Sequence, residues 1–334
     1  MSEEKTQDVR SSFQSMCFLL TKMTEQLTYW KRVRYNGDTP PWILKEEENK
    51  GFVAYATRDF KAGEWICTEF PVCWIEGHHP FKQKQVEDII SKTEALSKED
   101  YDAFHAMANV FPEEHHPAVG IFMTNCFDMT ESIYGECCAM YLALARLNHS
   151  CAPNVQQTHL PDTTEEVVYA VRDILAGEEI NDCYIDLRQD TTTRQTALQE
   201  YYRFHCTCSA CNEEMEEGER VVADGIRTLA SKYEDHLITH YIHSDQLTDG
   251  LQYLQHTVLL VLETASAMRW SVRYLPEAYL MAHELALALR QHSLALKYLK
   301  RAYKLNCFLQ SDRSPDSLRA AEKLKLWKKK HPNK

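Results

Sequence analysis

The pattern of apolar and polar residues changes its period several times along the chain. Residues 12–35 carry apolar side chains at helical spacing and predict an amphipathic helix, which ends near Pro40. Strand-forming residues dominate residues 50–76, where the turn Lys61-Ala62-Gly63-Glu64 interrupts them. Residues 81–110 are polar and helix-like, with a helix start at Ser97. The first third therefore combines helices with short strands.

The middle of the chain is more apolar. Residues 119–147 contain few charges, and Val167–Val171 and Ile180–Ile185 predict two strands joined by a turn at Ala176-Gly177. An acidic run, Glu213–Glu219, predicts a linker after the last strand. A mixed α and β architecture follows for the residues before this linker.

Everything beyond the linker has a helical period. Apolar residues recur at i, i+3, i+4 and i+7 in two successive segments: Ala282, Leu285, Ala286 and Leu289, then Ala295, Tyr298, Leu299 and Ala302. This spacing suits an antiparallel helix pair of the tetratricopeptide kind. An ordinary helical bundle explains the same pattern, so both interpretations stay open.

Composition narrows the function classes. The net charge of −12 argues against binding to a nucleic acid backbone and is compatible with a basic peptide partner. The basic tail Lys323–Lys334 is interpreted as a solvated helix end. No run approaches the ~20 apolar residues that a membrane helix needs, and Met1–Arg10 does not resemble a secretory signal. We expect a soluble intracellular protein, cytoplasmic and/or nuclear, without membrane contact.

Twelve cysteines point to metal rather than to disulfides in a reducing compartment. Cys206, Cys208 and Cys211 fall within six residues, a spacing typical of zinc ligands. Most of the other cysteines lie in apolar sequence and are interpreted as small core residues. Three ligands leave a zinc site incomplete.

Three motifs occur in a specific order and spacing. They read Arg146-Leu-Asn-His-Ser-Cys-Ala-Pro-Asn154, Gly177-Glu-Glu-Ile-Asn-Asp-Cys-Tyr-Ile-Asp186, and Arg194-x3-Leu-x3-Tyr-x-Phe-x-Cys-x-Cys-x2-Cys211. With them, the chain resembles the SET-domain protein-lysine methyltransferases, and in particular the SET- and MYND-domain subfamily with its fungal and protist relatives. Residues 51–64 and 120–125 resemble further stretches of that family.

The resemblance implies an α+β fold: small curved sheets around a threaded C-terminal segment, followed by helices. It divides the chain into an N-terminal helical extension (1–49), a SET domain (50–190) with a helical insert at about 76–118, a zinc-binding post-SET segment (191–215), and a helical C-terminal domain (220–334). Residues 75–118 hold no cysteine, so the paired-cysteine MYND zinc finger is absent there.

The resemblance also implies ligands for two cofactors. Cys151 joins Cys206, Cys208 and Cys211 on one structural Zn²⁺ per chain, with no open position for water. S-adenosyl-L-methionine is expected at Asn148, His149, Gly51, Tyr141 and Phe204. By itself, Asn148-His149-Ser150 would predict a capped turn, but together with the other motifs it favours cofactor binding. Core packing competes for Tyr141, Tyr202 and Phe204.

Tyr184 matches the tyrosine that the family keeps beside the transferred methyl group, and we predict that it orients the lysine amine rather than removing its proton. The expected activity is methyl transfer to lysine in histone or non-histone proteins. The C-terminal helices are expected to form one side of a substrate groove or to bind a protein partner.

One residue departs from the family pattern and supports a second hypothesis. The family carries a second glycine where this chain has Val53, a residue that resists positive φ. The alternative function is therefore a catalytically weak or inactive SET-like scaffold that acts through its helices. A zinc hydrolase is disfavoured, because four cysteine ligands leave no free coordination position.

Overall fold

The computed structural model describes residues 30–48, 50–78, 80–132, 135–212, 214–264 and 271–330. Its strands are short and lie almost entirely in the first 182 residues. They are β1 (Val33–Tyr35), β2 (Trp42–Glu47), β3 (Gly51–Ala56), β4 (Trp65–Glu69), β5 (Cys73–Glu76), β6 (Phe127–Ser132), β7 (Gly135–Met140), β8 (Asn148–His149), β9 (Val155–His159), β10 (Glu166–Ala170) and β11 (Asn181–Asp182).

The strands form four small sheets. The largest has the order β1-β4-β10-β9 and is antiparallel throughout. A second has the order β5-β7-β6, and β2 and β3 form a hairpin in which Trp42 pairs with Ala56 and Glu47 with Gly51. The two-residue strands β8 and β11 run parallel to each other. This last pairing joins chain segments that are far apart in the sequence.

Helices occupy an insert between β5 and β6 and most of the chain after β11. They are α1 (Gln83–Glu94), α2 (Lys98–His105), α3 (Pro117–Asn125), α4 (Thr191–Tyr202), α5 (Glu217–Leu237), α6 (Leu247–Tyr253), α7 (Leu260–Thr264), α8 (Leu275–Ala288), α9 (His292–Gln310) and α10 (Pro315–Lys330). The helix start predicted at Ser97 is confirmed, because its side chain accepts a hydrogen bond from the Asp100 N–H.

The buried residues fall into two cores. One lies between the sheets and the inserted helices, around Trp42, Phe60 and Phe122. The other combines Cys151, Cys206 and Cys211 with apolar residues of α5 to α10. The α+β fold with a helical C-terminal part is confirmed, and the cysteines belong to the core that the helices build.

The helix pair predicted in the C-terminal part is confirmed as α8 and α9, which pack side by side. Ala282, Ala286, Ala295 and Ala302 are fully buried, which lets the two helices approach closely. Helix α5 begins at Glu217, so the predicted acidic linker is shorter than its charge pattern indicated. Acidic residues in a first helical turn are stabilised by the helix dipole, which explains the difference.

Two predictions of local structure differ from the fold. The helix predicted over residues 12–35 lies mostly outside the described residues, and its end forms strand β1 because Val33–Tyr35 pair with β4. The N-terminal extension (1–49), which was predicted to be helical, therefore contains the strands β1 and β2. The strand predicted over residues 180–185 shortens to β11, since its partner β8 offers only two residues.

Within the described part of the chain, no helix is both long and apolar enough to cross a membrane. The cysteines among the described residues form no disulfide bonds with one another. The basic tail continues helix α10 as far as Lys330, with the lysines of its last turn exposed.

The turn between β3 and β4 lies against helix α9. Gly63 has φ +81°, a conformation that glycine adopts without steric cost. A Cβ atom at Gly63 would lie 2.5 Å from Cδ2 of Phe308, which belongs to α9. The glycine therefore serves both the turn and the close approach of the helical part.

We expect Gly63→Ala to lower the free energy of unfolding by about 2–4 kcal/mol, because it adds a clash with Phe308 to a strained backbone. Gly177→Ala is the matched control, since Gly177 has φ +80° and open space around it. That control should lose only about 1–2 kcal/mol. Urea unfolding measures both, and equal losses would show that the Phe308 contact is unimportant.

Candidate active site and metal centre

The short parallel pair β8–β11 brings the first two sequence motifs together. Asn148 lies opposite Asn181, and His149 lies opposite Asp182. The Asn148 side chain donates from Nδ2 to the Phe52 carbonyl at 3.1 Å, which adds the start of β3 to the same place. Three distant segments of the chain therefore meet at Asn148.

Asn154, the last residue of the first motif, holds the second motif in position. Its side chain is fully buried, donating from Nδ2 to the Glu179 carbonyl (2.7 Å) and accepting at Oδ1 from the Asn181 N–H (2.7 Å). An amide is suited to this position because it can donate and accept at once. The sequence motif indicated a turn here, but only the fold reveals this bridging role.

His149 connects the tyrosine of the second motif to the cysteines. Its Nδ1 accepts the Tyr184 N–H at 3.0 Å, and its Nε2 lies 3.2 Å from Cys151 Sγ. Burial lowers the pKa of His149 to about 4, so the ring is neutral at physiological pH. A neutral ring that accepts at Nδ1 carries its proton on Nε2, which therefore donates to the Cys151 sulfur.

Tyr184 has its hydroxyl group tied to the backbone of the first motif. It donates to the Leu147 carbonyl at 2.6 Å, and its ring centroid lies 4.9 Å from that of Tyr202. Burial and the nearby Asp182 charge raise the pKa of Tyr184 well above its ordinary value. The hydroxyl therefore stays protonated and is unsuited to act as a general base.

The four predicted metal-binding cysteines lie together. Their sulfur atoms are all within 4.8 Å of one another, with Cys151 Sγ 3.5 Å from Cys211 Sγ. Tetrahedral zinc with bonds of about 2.3 Å needs sulfurs about 3.8 Å apart, so this spacing is compatible with Zn²⁺.

The charges around the sulfurs agree with an anionic cluster. Arg194 is almost fully buried and donates to Cys211 Sγ at 3.6 Å. Arg227 is buried too and donates to the carbonyls of Leu187 and Cys151. Zinc with four thiolates carries a net charge of about −2, which two buried guanidinium groups would balance. Arg194 is the first residue of the third sequence motif, whereas nothing in the sequence pointed to Arg227 as a neighbour of the cysteines.

Two cavities adjoin Tyr184. The Asn148 cavity, of about 710 Å³, is lined by Gly51, Asn148, His149, Phe204 and other residues. The Glu166 cavity, of about 450 Å³, lies between the sheets and the start of α10, and is lined by His159, Glu166, Asp182, Asp316 and others. Tyr184 and Tyr202 line both cavities, as do Thr124, Asn125 and Ala145, so the two cavities are neighbours.

The predicted site residues are placed as follows. Gly51, Asn148, His149, Phe204 and Tyr184 all line the Asn148 cavity. Tyr141 is not among the residues that line this cavity, and its position favours the alternative of core packing. Its side chain is fully buried and its hydroxyl donates to the Thr164 carbonyl at 2.8 Å, so core packing explains this tyrosine.

Comparison with known proteins agrees with this arrangement. Residues 51–185 match the family model of the SET domain. These residues form a SET domain. The match begins at strand β3 and ends at Ile185, so it includes the first motif and all but the last residue of the second, and excludes Cys206, Cys208 and Cys211.

The chain is similar to curated methyltransferases. It is 36% identical over 186 residues to histone-lysine N-methyltransferase set5 of Schizosaccharomyces pombe, a match that covers 56% of this chain and 54% of that protein. It is 25% identical over 237 residues to N-lysine methyltransferase SMYD2 of Mus musculus, covering 66% and 54%. The chain thus spans about half the length of these relatives.

A buried glutamate of the SET domain positions the turn before Asn148. Glu69 is fully buried at the end of β4 and accepts hydrogen bonds from the Ala143 N–H (3.0 Å) and the Leu144 N–H (2.9 Å). Burial raises the pKa of Glu69 to about 7, although these backbone hydrogen bonds and the charge of Arg32 oppose the shift. In the sequence, the only sign of this role was a glutamate at the end of an otherwise uncharged predicted strand.

The raised pKa of Glu69 predicts a pH-dependent stability. The folded protein binds more protons than the unfolded chain between pH 4.5 and about 7, so the contribution of Glu69 is complete below pH 4.5 and is lost as the pH rises through about 7. The free energy of unfolding should fall by up to about 3 kcal/mol across this range. Glu69→Gln should reduce that slope in urea titrations, whereas Glu94→Gln, at an exposed carboxyl, should not. An unchanged slope in Glu69→Gln would contradict the assignment.

Proposed function

We propose that this protein transfers a methyl group from S-adenosyl-L-methionine to lysine side chains of proteins. The observation that carries the proposal is that two neighbouring cavities both have Tyr184 and Tyr202 in their walls. A cofactor in the Asn148 cavity and a lysine that enters from the Glu166 cavity would approach each other at these rings. When bound, S-adenosyl-L-methionine supplies a methyl group on a positively charged sulfur.

Residues around the Asn148 cavity suit this cofactor. Gly51 has φ +70° and no atom lies within 4 Å of where its Cβ would be, so the strand leaves open space at the cavity wall. The Asn148 amide can donate to a carboxylate or accept from an ammonium group. The aromatic face of Phe204 and the backbone of His149 suit the adenine ring.

The reacting lysine must lose a proton, since its ordinary pKa is about 10.4. Aromatic walls would lower that pKa by desolvation. Because the Tyr184 hydroxyl donates to the Leu147 carbonyl, its oxygen keeps lone pairs with which to accept a hydrogen bond from the amine. We therefore assign Tyr184 the role of orienting the amine.

The inactive scaffold is the second hypothesis, and Val53 was its support. Val53 does not adopt positive φ, its side chain is fully buried, and it is not among the residues that line the Asn148 cavity. The valine therefore leaves the cavity open. This geometry favours the enzyme over the scaffold.

The helical C-terminal part contributes to the proposed substrate groove. Gln310, Pro315, Asp316 and Arg319 line the Glu166 cavity from α9 and α10. A protein or peptide that carries a lysine is the proposed partner, in a histone or in another protein. A separate protein partner on the outer helical surface remains a hypothesis.

We expect Tyr184→Phe to reduce methyl transfer on the order of 100-fold, because the amine loses its orienting acceptor. The measurement is transfer from methyl-labelled S-adenosyl-L-methionine to histone and non-histone peptides. Calorimetry should give nearly the same cofactor affinity in both proteins. Tyr201→Phe, at an exposed neighbouring tyrosine, is the control and should stay fully active. Full transfer by Tyr184→Phe would end the proposed role.

We also propose that Cys151, Cys206, Cys208 and Cys211 hold one structural Zn²⁺ per chain. Cys211→Ser should reduce bound zinc well below one ion per chain and lower the free energy of unfolding by several kcal/mol, because metal binding contributes directly to folding. Elemental analysis and thermal unfolding give the two readouts. Cys307→Ser, outside the cluster, should change neither zinc content nor the melting temperature greatly. A fully folded wild-type protein without zinc would contradict the proposal.

A further inference from the structure

A row of ionisable side chains crosses the four-stranded sheet beneath the Glu166 cavity. Glu166 on β10 pairs with Glu69 on β4 and with His159 on β9, so the three side chains lie on one face of the sheet. Glu69 is occupied by the backbone N–H groups of Ala143 and Leu144. Glu166 and His159 instead line the cavity.

These groups are deeply buried, and two of them, Asp182 and His159, have polar atoms without hydrogen-bond partners. Glu166 is 4% exposed, His159 8% and Asp182 3%. Asp182 Oδ1 and both ring nitrogens of His159 have no hydrogen-bond partner. Burial of polar atoms without partners is costly, so the arrangement indicates a site that a ligand completes.

The charge of the site favours a cation. Burial and the Asp182 charge raise the pKa of Glu166, and burial raises that of Asp182 to about 6, so Asp182 is mostly ionised at neutral pH. Burial lowers the pKa of His159, which leaves its ring neutral. Arg273 is a nearby cation and donates to Cys183 Sγ, while Arg319 on the cavity wall pairs with Asp316. Asp182 therefore supplies the negative charge of this cavity, and the Glu166 carboxyl contributes further oxygen acceptors to the same wall.

We infer that Glu166 and Asp182 form a subsite for a cationic side chain of the substrate, best filled by the guanidinium group of an arginine next to the target lysine. The inference rests on the proposed function, because it concerns a residue beside the methylated lysine. Both carboxyls line the Glu166 cavity and neither lines the Asn148 cavity, whereas Tyr184 and Tyr202 line both. The subsite thus lies beside the point of reaction.

The spacing of the groups supports a guanidinium rather than a metal ion. Among the described residues, the sets of ligand atoms that gather within 4.8 Å do not include Glu166, Asp182 and His159 together. A guanidinium group is planar and offers five donors, so it can span two separate carboxyls and form charge-assisted hydrogen bonds with each.

The test compares two otherwise neutral lysine peptides that carry either arginine or citrulline at one flanking position. Citrulline keeps the shape of arginine and removes the charge. Each flanking position is tried in turn, and fluorescence anisotropy gives the affinity with S-adenosylhomocysteine present. At one position or more, the arginine peptide should bind the wild-type protein about 10- to 100-fold more tightly. Equal affinities at every position would overturn the inference.

Isosteric variants locate the effect. Glu166→Gln and Asp182→Asn should each reduce the preference for arginine about tenfold while affinity for the citrulline peptide stays nearly constant. Asp128→Asn is the matched control, because Asp128 lines the same cavity but its side chain is 69% exposed. It should change the preference less than about threefold. If Asp128→Asn alone abolished the preference, the subsite would lie at the rim and the inference would fail.

These outcomes separate the subsite from the proposed function. If both peptides are methylated but bind with equal affinity, the subsite is overturned and the methyltransferase proposal stays intact. Tight, arginine-dependent binding without any methyl transfer would support the subsite and contradict the activity. Thermal unfolding of each variant identifies a misfolded protein, in which case the wild-type peptide comparison decides.

Discussion

Cys151 is the residue through which the two cores of this protein are joined. Its sulfur lies 3.5 Å from that of Cys211, 60 residues later in the chain. Its neighbour His149 connects this cysteine to the Tyr184 backbone. Because the other cysteines pack with α5 to α10, a metal ion held by the four sulfurs would tie the C-terminal helices to the proposed cofactor cavity.

Two kinds of buried charge are organised around this connection. Arg194 and Arg227 approach the cysteine cluster, where thiolates would supply the opposite charge. Glu69 lies on the other side of the first motif and is held by backbone N–H groups. The hydrogen bonds to Glu69 only partly offset the cost of burying its charge, but they position the turn that leads from Leu144 to Asn148. Glu166 and Asp182 are different, since their environment leaves room for a further partner.

Structural elements whose signal lies in residues close together in the sequence were predicted well. The period of Ala282 to Ala302 gave the helix pair α8–α9, because burial of one helical face needs apolar residues at fixed spacing. The order of Asn148, Tyr184 and Cys206 gave the SET domain. The end of the helix predicted over residues 12–35 was wrong, since pairing with β4 outweighs helical periodicity at Val33–Tyr35.

The sequence alone determined which chemical groups are present and in what order: the four cysteines, Asn148 and His149, and Tyr184. It could not decide between cavity and core for an aromatic residue, and only the fold separates Tyr141 in the core from Phe204 at the cavity. The tertiary structure also decided that Val53 does not line that cavity, and that Glu166 and Asp182 line one cavity in which Asp182 Oδ1 has no partner. Burial and hydrogen-bond partners depend on contacts between distant segments, and no local pattern of residues records them.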